Sequence, residues 1–151
     1  MGTVTTESVW DYPRPPRLEE TTRHVVVTHR GVVIADSRRP WRVLETSHPP
    51  VFYVPAADVR TDLLTPNSRR TVCEWKGQAA YADLTLPDGR VEAVAWTYPA
   101  PSPAFAPIAG AYAFYASRVD RCEVDGEVVE AQSGAFYGGW ITREIVGPFK
   151  S

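Results

Sequence analysis

Residues 71–81 bring four reactive or binding side-chain types into one short stretch: the thiol of Cys73, the indole of Trp75, the ammonium of Lys76 and the phenol of Tyr81. A thiol becomes a nucleophile when a nearby cation favours its thiolate form, and an ammonium can equally hold an anionic ligand. If the stretch is one extended strand, Cys73 and Trp75 share a face and Lys76 lies on the other. Gly77 then indicates a β-bulge or a close approach of another backbone segment, and a bulge would re-aim the residues after it.

Glu45, Cys73 and Lys76 are the candidate catalytic residues. Glu45 stands in a predicted strand beside apolar neighbours, and a buried carboxyl can exchange a proton near neutral pH, which suits a general acid or base. The alternative for Glu45 is a solvated carboxylate at the edge of a sheet. Cys73 either reacts or packs as a small hydrophobe. Lys76 either pairs with Glu45 or Asp58 or binds an anion, and His48, which precedes two prolines, is interpreted as a loop residue.

Aromatic residues are numerous enough to build the walls of a ligand pocket as well as a core. The chain has five tryptophans and seven tyrosines, and aromatic walls bind planar or cationic small molecules. The alternative is that these rings only fill the core. The candidate ligand-binding residues are Tyr53, Asp58, Trp75, Tyr81, Trp96, Tyr98 and Trp140.

Length and composition exclude several classes of protein. The 151 residues fit one domain, here a proline-rich extended arm over residues 7–20 and a β-rich core with a docked tail over residues 21–151. A net charge of −2 without a basic run disfavours nucleic-acid binding. The apolar runs are too short for a membrane span, and no signal peptide is predicted. Cys73 and Cys122 are far apart and belong to no Cys-x-x-Cys pair, which predicts a cytoplasmic protein without a metal or other cofactor.

Short β-branched and aromatic runs divided by turn residues predict an all-β domain of about eight strands in curved antiparallel sheets. Hairpins are expected at His29-Arg30-Gly31, at Pro87-Asp88-Gly89 and at Asp125-Gly126. Residues 56–64 are the one predicted helical turn. Along residues 91–98, strict alternation places Val91, Ala93, Ala95 and Thr97 on one face and Glu92, Val94, Trp96 and Tyr98 on the other.

Several separated motifs occur in order along the chain: Ser8-Val9-Trp10-Asp11-Tyr12-Pro13, Glu45-Thr46-Ser47-His48-Pro49-Pro50 followed by Tyr53, Pro55 and Asp58, Thr71-Val72-Cys73-Glu74-Trp75-Lys76-Gly77-Gln78-Ala79, Ala95-Trp96 with Tyr98, and Gly138-Gly139-Trp140. Together they resemble the family called domain of unknown function 427, which some collections label nucleotidyltransferase-like. The resemblance implies a β-tent fold similar to methionine sulfoxide reductase B and to the drug-binding domain of cereblon. Those proteins often hold zinc through two Cys-x-x-Cys pairs, which this chain lacks. It also lacks a glycine-rich phosphate loop and a paired Asp-x-Asp, so the residues do not support nucleotidyl transfer.

Three functions remain open from the sequence. The first is a binding protein that holds a small planar or anionic ligand in an aromatic pocket around Trp75, Trp96 and Lys76; by analogy with the tryptophan cage of the drug-binding domain, the ligand would be a flat heterocycle. The second is a small enzyme that uses Glu45, Cys73 and Lys76 on an unknown metabolite. The third is a protein-interaction domain that uses its aromatic arm and tail. The sequence does not determine the oligomeric state.

Overall fold

In a computed structural model that describes residues 5–134 and 136–150, the chain is an all-β protein with short 3-10 helices. This confirms the predicted fold class. The 3-10 helices span Val9–Asp11, Ala56–Asp58, Thr61–Leu63, Pro103–Ile108 and Ala116–Arg118. The strands are β1 (Glu7–Ser8), β2 (Arg17–Glu20), β3 (Val25–His29), β4 (Val32–Ser37), β5 (Trp41–Leu44), β6 (Val51–Tyr53), β7 (Leu64–Cys73), β8 (Gly77–Leu86), β9 (Gly89–Thr97), β10 (Tyr112–Phe114), β11 (Arg121–Val124), β12 (Glu127–Val128), β13 (Glu130–Ala131), β14 (Trp140–Ile141) and β15 (Ile145–Val146).

Two four-stranded antiparallel sheets form most of the ladder, in the orders β10-β9-β8-β7 and β12-β11-β3-β4. The hairpins predicted from turn residues are present between β3 and β4, β8 and β9, and β11 and β12. A three-stranded sheet, β2-β5-β6, meets the first large sheet where Val54 and Tyr112 exchange backbone hydrogen bonds of 2.8 and 2.9 Å. The β5-β6 sheet edge is thereby held against β9 and β10.

Two side-chain clusters share the β8-β9 ladder as a common wall. An apolar core that includes Leu84, Val94 and Ala95 packs on one side, and an aromatic cluster that includes Tyr81 and Trp96 packs on the other. The predicted alternation along β9 is wrong between residues 91 and 96, because Ala93 adopts a positive φ of 48° and the ladder shifts register there. Val94 and Ala95 consequently face the same core, and Trp96 returns to the aromatic side.

Asp83 anchors this bulge. Its carboxylate is almost completely buried, accepts hydrogen bonds from the Ala93 backbone amide at 2.8 Å and from Asn67 at 2.7 Å, and pairs with Arg90 at 2.8 Å. Burial by itself raises the pKa of a carboxyl, but these hydrogen bonds and the Arg90 charge outweigh it and lower the pKa of Asp83. The bulge therefore rests on an ionised side chain that opposes it across the ladder.

The predicted arm, residues 7–20, is ordered and packs on the domain. Val9 and Tyr12 are buried, and β1 pairs in parallel with β15 near the other end of the described chain. Beneath the arm, the Arg42 side chain is 2% exposed and pairs with two carboxylates. Its Nη2 atom lies 3.1 Å from Glu7 Oε2 and 2.7 Å from Glu19 Oε1. A buried arginine is tolerated because both carboxylates satisfy its donors.

One local expectation differs from the structure, because residues 56–64 form two separate 3-10 turns instead of one helical turn. The long edge strand β7 follows them over residues 64–73. Pro66 and the register shift between Pro66 and Arg70 are tolerated there because an edge strand need not donate every amide. None of the helices in the described ranges has the length and apolar character needed to cross a lipid bilayer.

Candidate functional site

A cavity of about 230 Å³ opens beside the aromatic cluster. One wall comes from β7 to β9, a second from β5, β6 and the loop between them, and a third from Gln132 and residues 136–138. The aromatic side chains at its surface are Tyr53, Trp75, Tyr81, Trp96, Tyr98, Tyr115, Phe136 and Tyr137. The groups that could donate or accept protons or charge are Glu45, His48, Cys73, Glu74, Lys76 and Gln132.

The stretch around Cys73 is a tight hairpin turn. Cys73, the last residue of β7, pairs with Gly77, the first residue of β8, and the three residues between them form the turn. The expected bulge at Gly77 is therefore wrong: Gly77 has φ 110°, a left-handed value that suits glycine at a chain reversal. The reversal places Lys76 and Cys73 on the same side, which an uninterrupted strand would not do.

Ser102 fixes the conformation of this turn from outside the sheet. Its backbone amide donates to the carbonyl of Lys76 at 3.0 Å, and its hydroxyl donates to the carbonyl of Trp75 at 2.7 Å. The Lys76 side chain is directed toward the rings of Tyr98 and Phe105. Its Nζ lies 5.7 Å from the centre of each ring, within the range of a cation–π contact.

Lys76 is 7% exposed although it carries an ammonium group. Its Nζ donates to Cys73 Sγ at 3.2 Å. Among residues 5–134 and 136–150, no carboxylate oxygen comes within the 4.0 Å of an ion pair from this nitrogen. Lysines are almost never this deeply buried unless they are paired with an anion. The cavity wall thus holds a buried ammonium group with no carboxylate of the described residues in ion-pair contact.

Trp96 lies at the back of the cavity, directly opposite Tyr81 in the β8-β9 ladder. Its indole N–H donates to the Tyr53 hydroxyl at 3.2 Å, and its ring packs against Tyr115 with centroids 4.6 Å apart. Gly138 touches the outer edge of the indole so closely that no Cβ fits between them. The indole is therefore held in place from three directions.

Three of the tyrosine hydroxyls at the cavity, those of Tyr53, Tyr98 and Tyr115, remain protonated at neutral pH. Burial raises the pKa of Tyr53, Tyr98 and Tyr115 above the ordinary value for a phenol. The Tyr81 hydroxyl lies 3.0 Å from Thr71 Oγ1 across the β7-β8 pair. These phenols offer neutral hydrogen-bonding groups to a ligand and add no negative charge beside Lys76.

His48 faces the cavity as a neutral imidazole. Gln132 accepts from the Gly139 amide at 3.0 Å and donates to the Lys150 carbonyl at 2.7 Å, which fixes its amide so that Nε2 is the atom 3.3 Å from His48 Nδ1. Nδ1 therefore accepts, and the ring proton resides on Nε2. Burial first, then the neighbouring positive charges, lower the pKa of His48. The opposing charge of Glu45 does not reverse that direction.

Glu45 stands at the rim of the cavity, where Arg14 lies 3.5 Å from its carboxylate and about a quarter of the side chain is exposed. The two other candidate catalytic residues, Cys73 and Lys76, are in direct contact. Of the predicted ligand-binding residues, the structure brings Tyr53, Trp75, Tyr81, Trp96 and Tyr98 together at the cavity.

Asp58 and Trp140 lie outside the cavity, contrary to the sequence interpretation. Asp58 is the last residue of the 3-10 helix Ala56–Asp58. Its carboxylate accepts hydrogen bonds from Arg39 at 3.0 Å and from Ser37 at 2.7 Å. Trp140 is buried in the apolar core, stacks on Phe52 at 5.3 Å and donates its indole N–H to the Phe114 carbonyl at 3.0 Å. The polar atoms of both side chains are therefore hydrogen-bonded to other parts of the fold.

Twelve of the residues at the cavity were not among the sequence candidates for a binding site, and they include the polar residues His48, Thr71, Tyr115 and Gln132. Thr71 alone carried a usable signal, since it alternates in phase with Cys73 along β7. His48, Tyr115 and Gln132 reach the cavity through contacts between segments far apart in sequence. Within the described residues, no three His, Cys, Asp or Glu side chains group closely enough to hold a metal ion.

Residues 17–125 match a family described as a domain of unknown function (DUF427). The chain belongs to the DUF427 family. A search of curated proteins found no match. The DUF427 match includes the β7-β8 turn with Cys73 and Lys76, whereas the arm motif at residues 8–13 and the Gly138-Gly139-Trp140 motif lie outside it. The cavity wall formed by Gln132 and residues 136–138 therefore lies outside the matched segment.

Proposed function

We propose that this chain binds a small, flat molecule with a negatively charged group in the aromatic cavity. The observation that carries the proposal is the buried ammonium of Lys76 at the cavity wall, with no carboxylate of the described residues near enough to pair with it. A ligand anion would supply the missing partner. A charge-assisted hydrogen bond of this kind would also fix the orientation of the ligand.

The preference for a flat molecule follows from the rings around the charge. Trp75, Trp96 and Tyr81 present ring surfaces or edges to the cavity, and Tyr98 flanks Nζ itself. Planar groups make their largest contact area with such walls, in offset or edge-to-face arrangements. The cavity volume of about 230 Å³ is below the roughly 300–1,000 Å³ of common ligand pockets, so it suits a ligand of one or two small rings.

The remaining polar groups agree with an anion as ligand. His48 is neutral, with Nε2–H as its donor, and the phenols of Tyr53 and Tyr98 keep their protons. Glu45 is drawn toward Arg14 at the rim. The Glu74 side chain, which also lines the cavity, belongs to an exposed residue of the turn. The buried part of the cavity therefore combines the Lys76 ammonium with neutral hydrogen-bond donors, a composition that favours carboxylate or similar anions over cations.

The direct test compares benzoate with its neutral isostere benzamide by tryptophan fluorescence, since Trp75 and Trp96 line the cavity. The two probes have nearly the same shape and differ in charge. We expect saturable quenching by benzoate, with an affinity at least about tenfold above that for benzamide, corresponding to about 1.4 kcal/mol from one charge-assisted hydrogen bond. Equal responses to the two probes, or none to either, would contradict the proposal.

A matched pair of variants assigns the effect to the buried charge. The chain has two lysines, Lys76 in the cavity wall and the exposed Lys150. Lys76→Met should abolish the preference for benzoate over benzamide, whereas Lys150→Met removes the same net charge and should retain it. A loss in both variants would indicate a long-range effect of net charge instead of a site.

A small enzyme remains the second candidate, on the specific observation that Cys73 Sγ and Lys76 Nζ are 3.2 Å apart at the cavity wall. Catalysis through this pair predicts that Cys73→Ala leaves benzoate affinity unchanged but removes covalent chemistry on a reactive ligand. Loss of binding together with loss of folding in that variant would favour a purely structural cysteine.

A further inference from the structure

The thiol of Cys73 and the ammonium of Lys76 face the same cavity. The thiol is partly buried at the end of β7, and the ammonium approaches it from the turn at 3.2 Å. Two independent features point to a ligand here: the Lys76 side chain is more than nine-tenths buried without a carboxylate partner among the described residues, and the aromatic cavity opens onto both groups.

The second cysteine supplies an internal contrast. Cys122 is 2% exposed in the apolar core, and burial raises its pKa to about 12. It does not line the cavity, and the described chain contains no disulfide between it and Cys73. The protein therefore contains an inert thiol, Cys122, and a second thiol, Cys73, that lies beside an ammonium group.

We propose that Cys73 is a nucleophile for small anionic carbon electrophiles, specifically carboxylates whose neighbouring carbon bears a leaving group. This inference rests on the proposed binding of anions at Lys76. The thiol first loses its proton to solvent. The thiolate then donates an electron pair to the carbon, forming a C–S bond, and the leaving group departs with the electron pair of the broken bond. No oxidant or reductant takes part, and Lys76 keeps its proton.

The distance between the two groups accommodates this substrate class. A carboxylate oxygen that accepts from Nζ lies about 2.8 Å from it, and a reacting carbon approaches a nucleophile at about 3–3.5 Å. With Sγ and Nζ separated by 3.2 Å, both contacts can be made at once when the reacting carbon is bonded directly to the carboxylate carbon.

The test is the ratio of alkylation rates with iodoacetate and iodoacetamide, measured at each cysteine. The two reagents share size, leaving group and need for a thiolate, so their ratio cancels the thiolate fraction and reports the effect of the carboxylate charge. Trypsin separates the two sites, because Cys73 falls in the peptide 71–76 and Cys122 in the peptide 122–143. Mass spectrometry of these peptides then gives both rates from one sample.

We expect the iodoacetate-to-iodoacetamide ratio at Cys73 to exceed that of N-acetylcysteine at least about tenfold, equivalent to about 1.4 kcal/mol. Lys76→Met should return the ratio to the N-acetylcysteine value, and Lys150→Met should keep it high. A ratio at Cys73 equal to that of N-acetylcysteine overturns the inference, and this comparison needs only the wild-type chain, whether or not Lys76→Met folds.

The outcome distinguishes the two proposals. If benzoate binds with the expected dependence on Lys76 but the alkylation ratio is ordinary, the nucleophile assignment fails and anion binding stands. If benzoate does not bind and the ratio is ordinary, both fail. A high ratio that persists in Lys76→Met also overturns the assignment, because the charge would then come from another group.

Discussion

Gly138 lies against the six-membered ring of Trp96, with no room for even one methyl group between them. The contact joins a segment outside the DUF427 match to the indole at the back of the cavity. Trp96 cannot move away freely, because its N–H is bonded to Tyr53 and its ring packs on Tyr115. The position of the tail and the position of the indole are therefore coupled.

We predict that Gly138→Ala destabilises the protein and alters the cavity. Forcing a methyl into a packed contact costs roughly 1–3 kcal/mol, and the displaced indole should change the fluorescence spectrum and weaken benzoate binding. Urea unfolding and the titration described above measure the two effects. Gly89→Ala is the control, because nothing lies within 4 Å of a Cβ at that glycine. Equal effects of the two substitutions would contradict a specific contact with Trp96.

Lys76→Met should make the ligand-free protein more stable while it abolishes the preference for anions. The ammonium is desolvated without a carboxylate partner among the described residues, and an apolar side chain of similar length removes that cost. We expect a gain of about 1 kcal/mol in unfolding free energy. Chemical unfolding without ligand is the measurement, with Lys150→Met as the variant expected to be neutral. A loss of stability would instead assign Lys76 a structural role.

Acid should weaken the attachment of the arm through Glu7. Burial by itself raises the pKa of this carboxyl, but hydrogen bonds from Arg42 and Tyr12 outweigh it and lower the pKa of Glu7 below the ordinary value. Its stabilisation is therefore complete above the unfolded pKa, about 4.3, and is lost as the pH falls through the lower folded value. Glu7→Gln should lower the free energy of unfolding by roughly 2–3 kcal/mol at pH 7. The loss is no larger because Arg42 keeps Glu19 as a partner.

The measurement is unfolding free energy between pH 7 and pH 3 for wild type and Glu7→Gln. The gap between the two curves should narrow toward low pH as Glu7 becomes protonated in the wild type. Asp62→Asn provides the comparison, because Asp62 pairs with Arg60 at a fully exposed position and should change stability little at any pH. A gap that stays constant with pH would contradict the role of the Glu7 charge.

His48 should report the charges around the cavity when its titration is followed by NMR. Burial, with the charges of Arg14, Lys150 and Lys76, lowers the pKa of His48, while Glu45 acts in the opposite direction. Lys76→Met removes a positive neighbour and should raise the pKa of His48; Glu45→Gln removes a negative neighbour and should lower it further. Shifts of the same sign in both variants would indicate a change of structure instead of a charge effect.

Local signals in the sequence predicted the hairpins well, because their turns are built from residues suited to them. Arg30-Gly31 and Asp125-Gly126 both adopt left-handed φ values in the structure, as tight hairpins require. The all-β class followed from the β-branched runs beside these turns. Five of the aromatic residues at the cavity were also candidates from the sequence, because large side chains on the inner faces of curved sheets pack against one another.

The features that were missed depend on contacts between distant segments. The turn at residues 74–76 contains no Asn-Gly or Asp-Gly pair, and it is held by Ser102. The bulge at Ala93 depends on the buried carboxylate of Asp83. Trp140 resembled a pocket residue by type, but its partner Phe114 lies 26 positions away. None of these relationships leaves a periodic or local pattern in the chain.

The shared wall of β8 and β9 has a consequence for the sizes of molecule that the cavity can admit. Its neighbouring residues Ala95 and Trp96 face two different packed clusters, so the backbone between them cannot shift toward either side without overpacking one cluster. The cavity is thus bounded by a ladder that resists widening. In a series of benzoates with ring substituents of increasing size, affinity should fall abruptly beyond one size instead of declining gradually. The size at which it falls would measure the dimensions of the site.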